Sequence, residues 1–150
     1  MKSIVNSGLG SILEVEVGGK NNPELGEPLR LEGNVVGIFD GDYRSEGPMY
    51  TGLVKSFGQT AVLYVYGIEI IVTTHNLQIL DRMQFAAFGI NPELKKVVAL
   101  KSMQHFRAAF EQLAAEVIVY DSGALARPRR STLLFQNVRM PVCPLDKILR

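Results

Sequence analysis

The side chains that could do chemistry gather in one part of the chain. Lys101, Ser102 and His105 stand close together, and Asp121 and Ser122 follow further on. An ammonium, a hydroxyl, an imidazole and a carboxylate brought to one rim could bind a carbonyl or carboxylate oxygen of a substrate. Each also has an ordinary reading: Ser102 as a helix cap, Lys101 as a solvated strand end, His105 as a surface residue of a first helical turn. Arg107 lies two residues past His105 on another helix face, so a shared role needs it to reach round the helix end. Otherwise it is a solvated or salt-bridged arginine.

The elements that would have to position these groups are readable. Val97 to Leu100 is an uninterrupted apolar run with two β-branched residues, the pattern of a strand buried on both faces. Ser102 offers a capping oxygen, and Met103, Phe106, Ala109, Phe110 and Leu113 then fall on one stripe at helical spacing. Glu116 to Asp121 reads as a second buried strand, ended by Ser122-Gly123. Strand, helix and strand in so short a span predict a βαβ unit with parallel strands and a right-handed crossover. Ligands collect at the carboxyl ends of such strands, where helix N-termini present free amides. Lys101 and Ser102 would close the first strand, Asp121 and Ser122 the second, with His105 between them.

Several chemistries are excluded by residue type and spacing. A catalytic zinc commonly takes three protein ligands, and here two histidines and one cysteine occur with none at helical metal spacing. Cys143 sits between prolines without an identifiable base, and neither Gly-x-Ser-x-Gly nor GxGxxG is present. Catalysis by this chain alone is therefore not expected, and no cofactor is assigned to it. The lone cysteine also rules out an intrachain disulfide.

A chain of 150 residues at 47% hydrophobic can bury one good core, so a single domain over 1–150 is expected. Net charge is +1, which creates no global field toward nucleic acid or anionic membrane. Arg127-Pro128-Arg129-Arg130 lacks the interleaved aromatics that stack bases and reads as a solvated loop. No apolar run approaches the roughly 20 residues of a membrane span, and no signal-type segment follows Met1, which points to the cytoplasm.

Along the chain, residues 2–9 make a frayed helical turn. Ser11 to Val17 alternates as a half-buried strand, and Gly18-Gly19-Lys20 lacks the spacing of a phosphate loop. Glu27 to Ile38 reads as a strand interrupted at Gly33-Asn34. Asp40 and Asp42 resemble the start of a calcium loop, but the remaining ligand positions do not follow, so turn chemistry is the better reading. Tyr50 to Phe57, Thr60 to Tyr66 and Ile68 to Thr74 predict an antiparallel meander, with His75 at the end of its last strand. Asp81 as cap, Gln84 completing a capping box, Leu80 with Phe85 as a staple and Gly89 past the end mark a helix. The fold class is thus α/β, an antiparallel β-meander leading into a βαβ unit of a mixed sheet. An irregular C-terminal tail follows.

Lys101-Ser102-Met103-Gln104-His105-Phe106-Arg107-Ala108-Ala109-Phe110 closely resembles the Lys-Ser-x-x-His-Phe-Arg-Ala-x-Phe signature of the MlrC-type proteins, the microcystinase-like zinc metallopeptidases. Other segments are similar in the same order. They are Gly18-Gly19-Lys20, Asp40-Gly41 with Gly47-Pro48-Met49, Thr60-Ala61-Val62-Leu63, Asp81-x-x-Gln84-Phe85 with Gly89-Ile90-Asn91-Pro92, and Pro141-Val142-Cys143-Pro144-Leu145-Asp146. The resemblance implies a C-terminal domain whose zinc ligands lie in a separate, larger N-terminal domain or chain, so no metal ligand carries over. It also implies that the family's opening Asp-Asn-Pro-Gly-Gly-Gly-like loop is missing, as in a truncated chain. Lys101, Ser102, His105, Phe106 and Arg107 carry over as motif positions. With Asp121, their polar members are the expected substrate-binding groups, facing the zinc domain and a peptide-like small substrate.

Two function classes follow. The chain is half of a hydrolase, inactive until joined to a zinc-bearing partner, or it is a binding module or fold remnant without chemistry. A neighbouring reading frame encoding a His/Asp/Glu zinc set would separate them. The sequence is compatible with a homo-oligomer and does not name the substrate.

Overall fold

The computed structural model of the chain describes residues 1–19, 26–102, 104–120, 137 and 139. It divides into two compact units, Met1–Val117 and Ile118–Arg150. The second is described only at Ile118–Tyr120, Asn137 and Arg139, none of which lies in a helix or strand.

In the first unit the strands are β1 (Ile12–Val17), β2 (Leu29–Phe39), β3 (Asp42–Arg44), β4 (Val54–Ser56), β5 (Thr60–Val65) and β6 (Ile68–Thr73). Four of them form one sheet in the order β1-β2-β5-β6, with every neighbouring pair antiparallel. β3 and β4 form a separate ribbon. The helices are α1 (Lys2–Ser7) and two single turns, α2 (Met83–Ala86) and α3 (Arg107–Phe110), with 3-10 turns at Pro92–Leu94 and Glu111–Leu113.

The alternation of side chains on β5 explains the layering. Ala61, Leu63 and Val65 share one core with Ile4 of α1, Val15 and Val35. Val62, of opposite parity, packs with Tyr43, Phe57, Phe88 and Ile90 in a second core. With both faces covered, Thr60–Val65 reads as a nearly continuous apolar run, and a side chain buried as fully as Leu63 contributes roughly 1.5–3 kcal/mol. Tyr66 and Gly67 link β5 to β6 with φ of 47° and 88°, the left-handed pair that a two-residue hairpin with the right strand twist requires.

The predicted break at Gly33-Asn34 is not a break. Gly33 pairs in regular register with Leu13, and the irregularity falls between Val35 and Gly37, leaving Val36 as the extra residue. Close packing selects the glycine instead: a Cβ on Gly33 would stand 2.9 Å from Cγ2 of Val65.

The mixed α/β content and the antiparallel sheet are as expected. Within the predicted meander, β5 and β6 pair with each other, while the Tyr50 to Phe57 run shortens to β4 and pairs with β3. The predicted βαβ unit does not form. Residues 97–100 and 116–120 lie in neither helix nor strand, and Val97 is 83% exposed. An apolar β-branched run becomes a strand only where a neighbour offers it a ladder. Between the runs only one helical turn followed by a 3-10 turn forms, so the crossover helix of a βαβ unit is absent there as well. The expected tail from residue 121 onward lies outside the described residues except at Asn137 and Arg139. No helix among the described residues is long and apolar enough to cross a membrane.

Candidate functional site

The best-built polar centre is at the start of α2. The Asp81 amide donates to Oε1 of Gln84 at 2.9 Å, and the Met83 amide donates to Oδ1 of Asp81 at 3.0 Å. This is the predicted capping box, and Gly89 beyond the helix takes the left-handed φ of 73°. Gln84, 1% exposed, also accepts from the Leu80 amide and donates to the Gln78 carbonyl. Oδ2 of Asp81 does something the local sequence does not announce. It accepts from the Ser45 hydroxyl at 2.6 Å and from the Glu46 and Gly47 amides at 2.7 Å each.

One buried carboxylate therefore ties the 45–47 loop to α2. Burial alone would raise its pKa, but the Ser45 hydroxyl and the Met83, Gly47 and Glu46 amides outweigh that and hold it below the ordinary value. Burial, then the negative charge of Asp81, push the Tyr43 hydroxyl the other way, with Gln84 partly opposing them. Nothing in local spacing could reveal the Asp81–Ser45 contact, because the partners are 36 residues apart.

Next to this centre lies a groove of about 580 Å³, lined among others by Pro48, Met83, Ile90, Pro92, Ala109 and Gln112. Its volume is that of an ordinary small-molecule or side-chain site. Nη1 of Arg82 and Oε1 of Glu93 pair at 2.8 Å beside it, both half-exposed. Segments singled out separately in the sequence meet around this groove: Gly47-Pro48, Asp81 to Met83, Gly89 to Pro92 and, from the Lys101 to Phe110 motif, Ala108 and Ala109 alone.

The motif itself divides by physical role. Phe106, Ala109 and Phe110 are buried in a third core, and the ring of Phe110 meets that of Phe85 edge to face at 5.8 Å. Lys101 and His105 are exposed. Arg107 pairs with Glu111 at 2.5 Å and lies 5.5 Å from the centre of the Phe106 ring, so it is the salt-bridged arginine of the plainer reading. Ser102 is not a helix cap: α3 starts at Arg107, and the Ser102 hydroxyl accepts from Nε2 of Gln78 at 3.2 Å instead. His105 accordingly precedes the helix rather than lying in its first turn.

Lys101, Ser102, His105 and Arg107 thus share one segment, but no hydrogen bond or ion pair joins any two of them among the described residues. Asp121 lies outside the described residues, and the parallel strand ends that were to bring it near His105 are not formed. His75 stands at the end of β6, its amide donating to the Phe57 carbonyl at 2.8 Å. Among the described residues no three His, Cys, Asp or Glu side chains come together as a metal ion would need, so these residues do not fit a zinc site.

Residues 1–137 match the family model described as MlrC C-terminus. Microcystinase C of Sphingomonas sp. is 29% identical over 142 residues, which cover 95% of this chain and 26% of that protein. The crystal structure of a candidate metallopeptidase from Mesorhizobium sp. BNC1 superposes with a TM-score of 0.80 at 23% identity, covering 99% of this chain and 30% of that one. This likeness shows a common fold. The chain spans between a quarter and a third of the length of these relatives.

Proposed function

This chain belongs to the MlrC C-terminal domain family, and on that premise we propose that it is the non-metal-binding part of a microcystinase-like metallopeptidase or amide hydrolase. In this reading it packs against a zinc-bearing domain and lends it groups that bind a peptide-like substrate. The supporting observation is the division of the Lys101 to Phe110 motif. Its aromatic half is consumed in packing, whereas Lys101 and His105 are exposed. Side chains that make no hydrogen bond or ion pair among the described residues, held on a segment anchored by Phe106 and Phe110, are available to a partner or substrate.

The chain's own part is binding and orientation. The Lys101 ammonium supplies charge to a substrate carboxylate, and the His105 imidazole donates to a carbonyl or carboxylate oxygen. Arg107, committed to Glu111, holds the start of α3. Ser102 and Asp121 are further candidate contacts. The zinc chemistry, polarising an amide and activating a water, belongs to the other domain.

The test uses the chain assembled with its zinc-bearing domain and follows hydrolysis of a linear peptide. Lys101→Ala and His105→Ala should each reduce kcat/KM by about tenfold or more without lowering the melting temperature. Unchanged kinetics in both variants would defeat the substrate-binding role and leave the reading of a binding module without chemistry.

A further inference from the structure

We propose that Asp81 is a positioning residue for the Lys101 to Arg107 segment, acting through α2 and the Phe85–Phe110 contact. The inference rests on the substrate-binding reading of that segment only for its functional consequence; its structural content stands apart from it.

The physical connection is continuous. Oδ2 of Asp81 gathers Ser45, Glu46 and Gly47, and Oδ1 takes the Met83 amide, so the loop and the first turn of α2 share one carboxylate. Gln84 then secures the other side of the turn by accepting from Leu80 and Asp81 and donating to Gln78. Gln78 in turn donates to Ser102, directly inside the motif. From the next residue of α2, Phe85 meets Phe110 with ring centres 5.8 Å apart, and Phe106 shares that core. Asp81 thus reaches the motif by two routes, a hydrogen-bonded one ending at Ser102 and an aromatic one ending at Phe110 and Phe106.

α2 and α3 are single turns, too short to hold their own geometry, so their placement must come from such contacts. The joint is also tight. A Cβ on Gly47 would stand 3.1 Å from both Cγ and Oδ2 of Asp81, so a side chain at this position would crowd the carboxylate. Two discrete supports acting on one short segment are what positioning of a reactive or binding group requires, since small misplacements cost large factors in rate.

A purely structural aspartate would lower stability and leave the motif's contribution intact. A positioning aspartate shares its effect with the groups it places, and that difference is measurable in a double-mutant cycle. In the assembled protein, Asp81→Asn should reduce kcat/KM for a linear peptide by about tenfold, and Asp81→Asn with His105→Ala should be no worse than His105→Ala alone. Multiplying losses would overturn the proposal. Ser45→Ala, which removes one donor, takes the place of Asp81→Asn if that variant does not fold.

A second readout does not depend on activity. The chain has two histidines, so the imidazole NMR signals of the full chain separate His105 from His75. The Asp81 or Ser45 variant should shift or broaden the His105 signal while leaving that of His75 in place. An unmoved His105 signal would overturn the proposal. Activity unaffected by His105→Ala with a shifted His105 signal would instead remove the substrate-binding reading and keep the positioning.

Discussion

Asp81→Ala is the substitution whose cost can be worked most directly from the structure. Asp81 is 5% exposed, and its carboxylate accepts four hydrogen bonds between 2.6 and 3.0 Å. A hydrogen bond to a charged group is worth about 1.5–3 kcal/mol net, but four such terms do not add. The Glu46 and Gly47 amides are only part-buried and can turn to water, whereas the Ser45 hydroxyl is buried and cannot do so freely.

The expected loss is therefore roughly 3–4 kcal/mol, which for a chain of this length lowers the melting temperature by about 10 °C. Asp81→Asn keeps one carbonyl oxygen and should cost about 2 kcal/mol. Urea unfolding followed by circular dichroism, with the slope unchanged, reads both values. A loss below about 0.5 kcal/mol for the alanine variant, within the scatter of ordinary surface changes, would show that the Asp81 carboxylate does not hold the 45–47 loop to α2.

The pH dependence carries a sign as well. The folded carboxyl is held below its unfolded value, so the stability it contributes is fully present above that value and is lost as pH falls through the lower, folded one. The gap between wild type and Asp81→Asn should be flat from about pH 7 to about pH 5 and narrow as pH falls further, through the ordinary carboxyl value and then the lower folded one.

Other expectations follow from the same contacts. Phe110→Ala removes a side chain 7% exposed and stacked edge to face on Phe85, and should cost roughly 3–4 kcal/mol in urea unfolding. Tyr66→Asn should stabilise by roughly 0.5–1 kcal/mol, because Tyr66 is held at a φ of 47° that asparagine tolerates better, and a melting temperature that falls would contradict the turn assignment. Val97→Asp should change stability by less than about 0.5 kcal/mol, since Val97 is exposed and unpaired with any strand; a loss of several kcal/mol would restore the buried strand that the structure lacks.

What was legible in the sequence is what local rules decide. The alternation in Ile12–Val17, the β-branched runs of β5 and β6, the Gly67 turn and the Asp81–Gln84 capping box each need only neighbours within a few residues, and all four are found. Val97 to Leu100 and Glu116 to Tyr120 obeyed the same pattern rules and are not strands, because no rule of composition supplies a partner strand. Ser102 has the chemistry of a cap but sits five residues before the helix that forms, and its hydroxyl serves Gln78 instead. The largest omission is the second oxygen of Asp81. Its partners at Ser45, Glu46 and Gly47 are brought to it by the path of the chain through the β3–β4 ribbon and the β5–β6 hairpin, which no short window contains.

The substrate-binding role of the exposed half of the motif can be tested on the two histidines together. In the protein assembled with its zinc-bearing domain, carbethoxylation by diethylpyrocarbonate is followed at His105 and His75 with and without a saturating linear peptide. Both side chains are exposed, so both react in the free protein. The peptide should protect His105 and leave His75 reacting at its former rate. Equal reactivity of His105 with and without peptide would contradict the substrate-binding role.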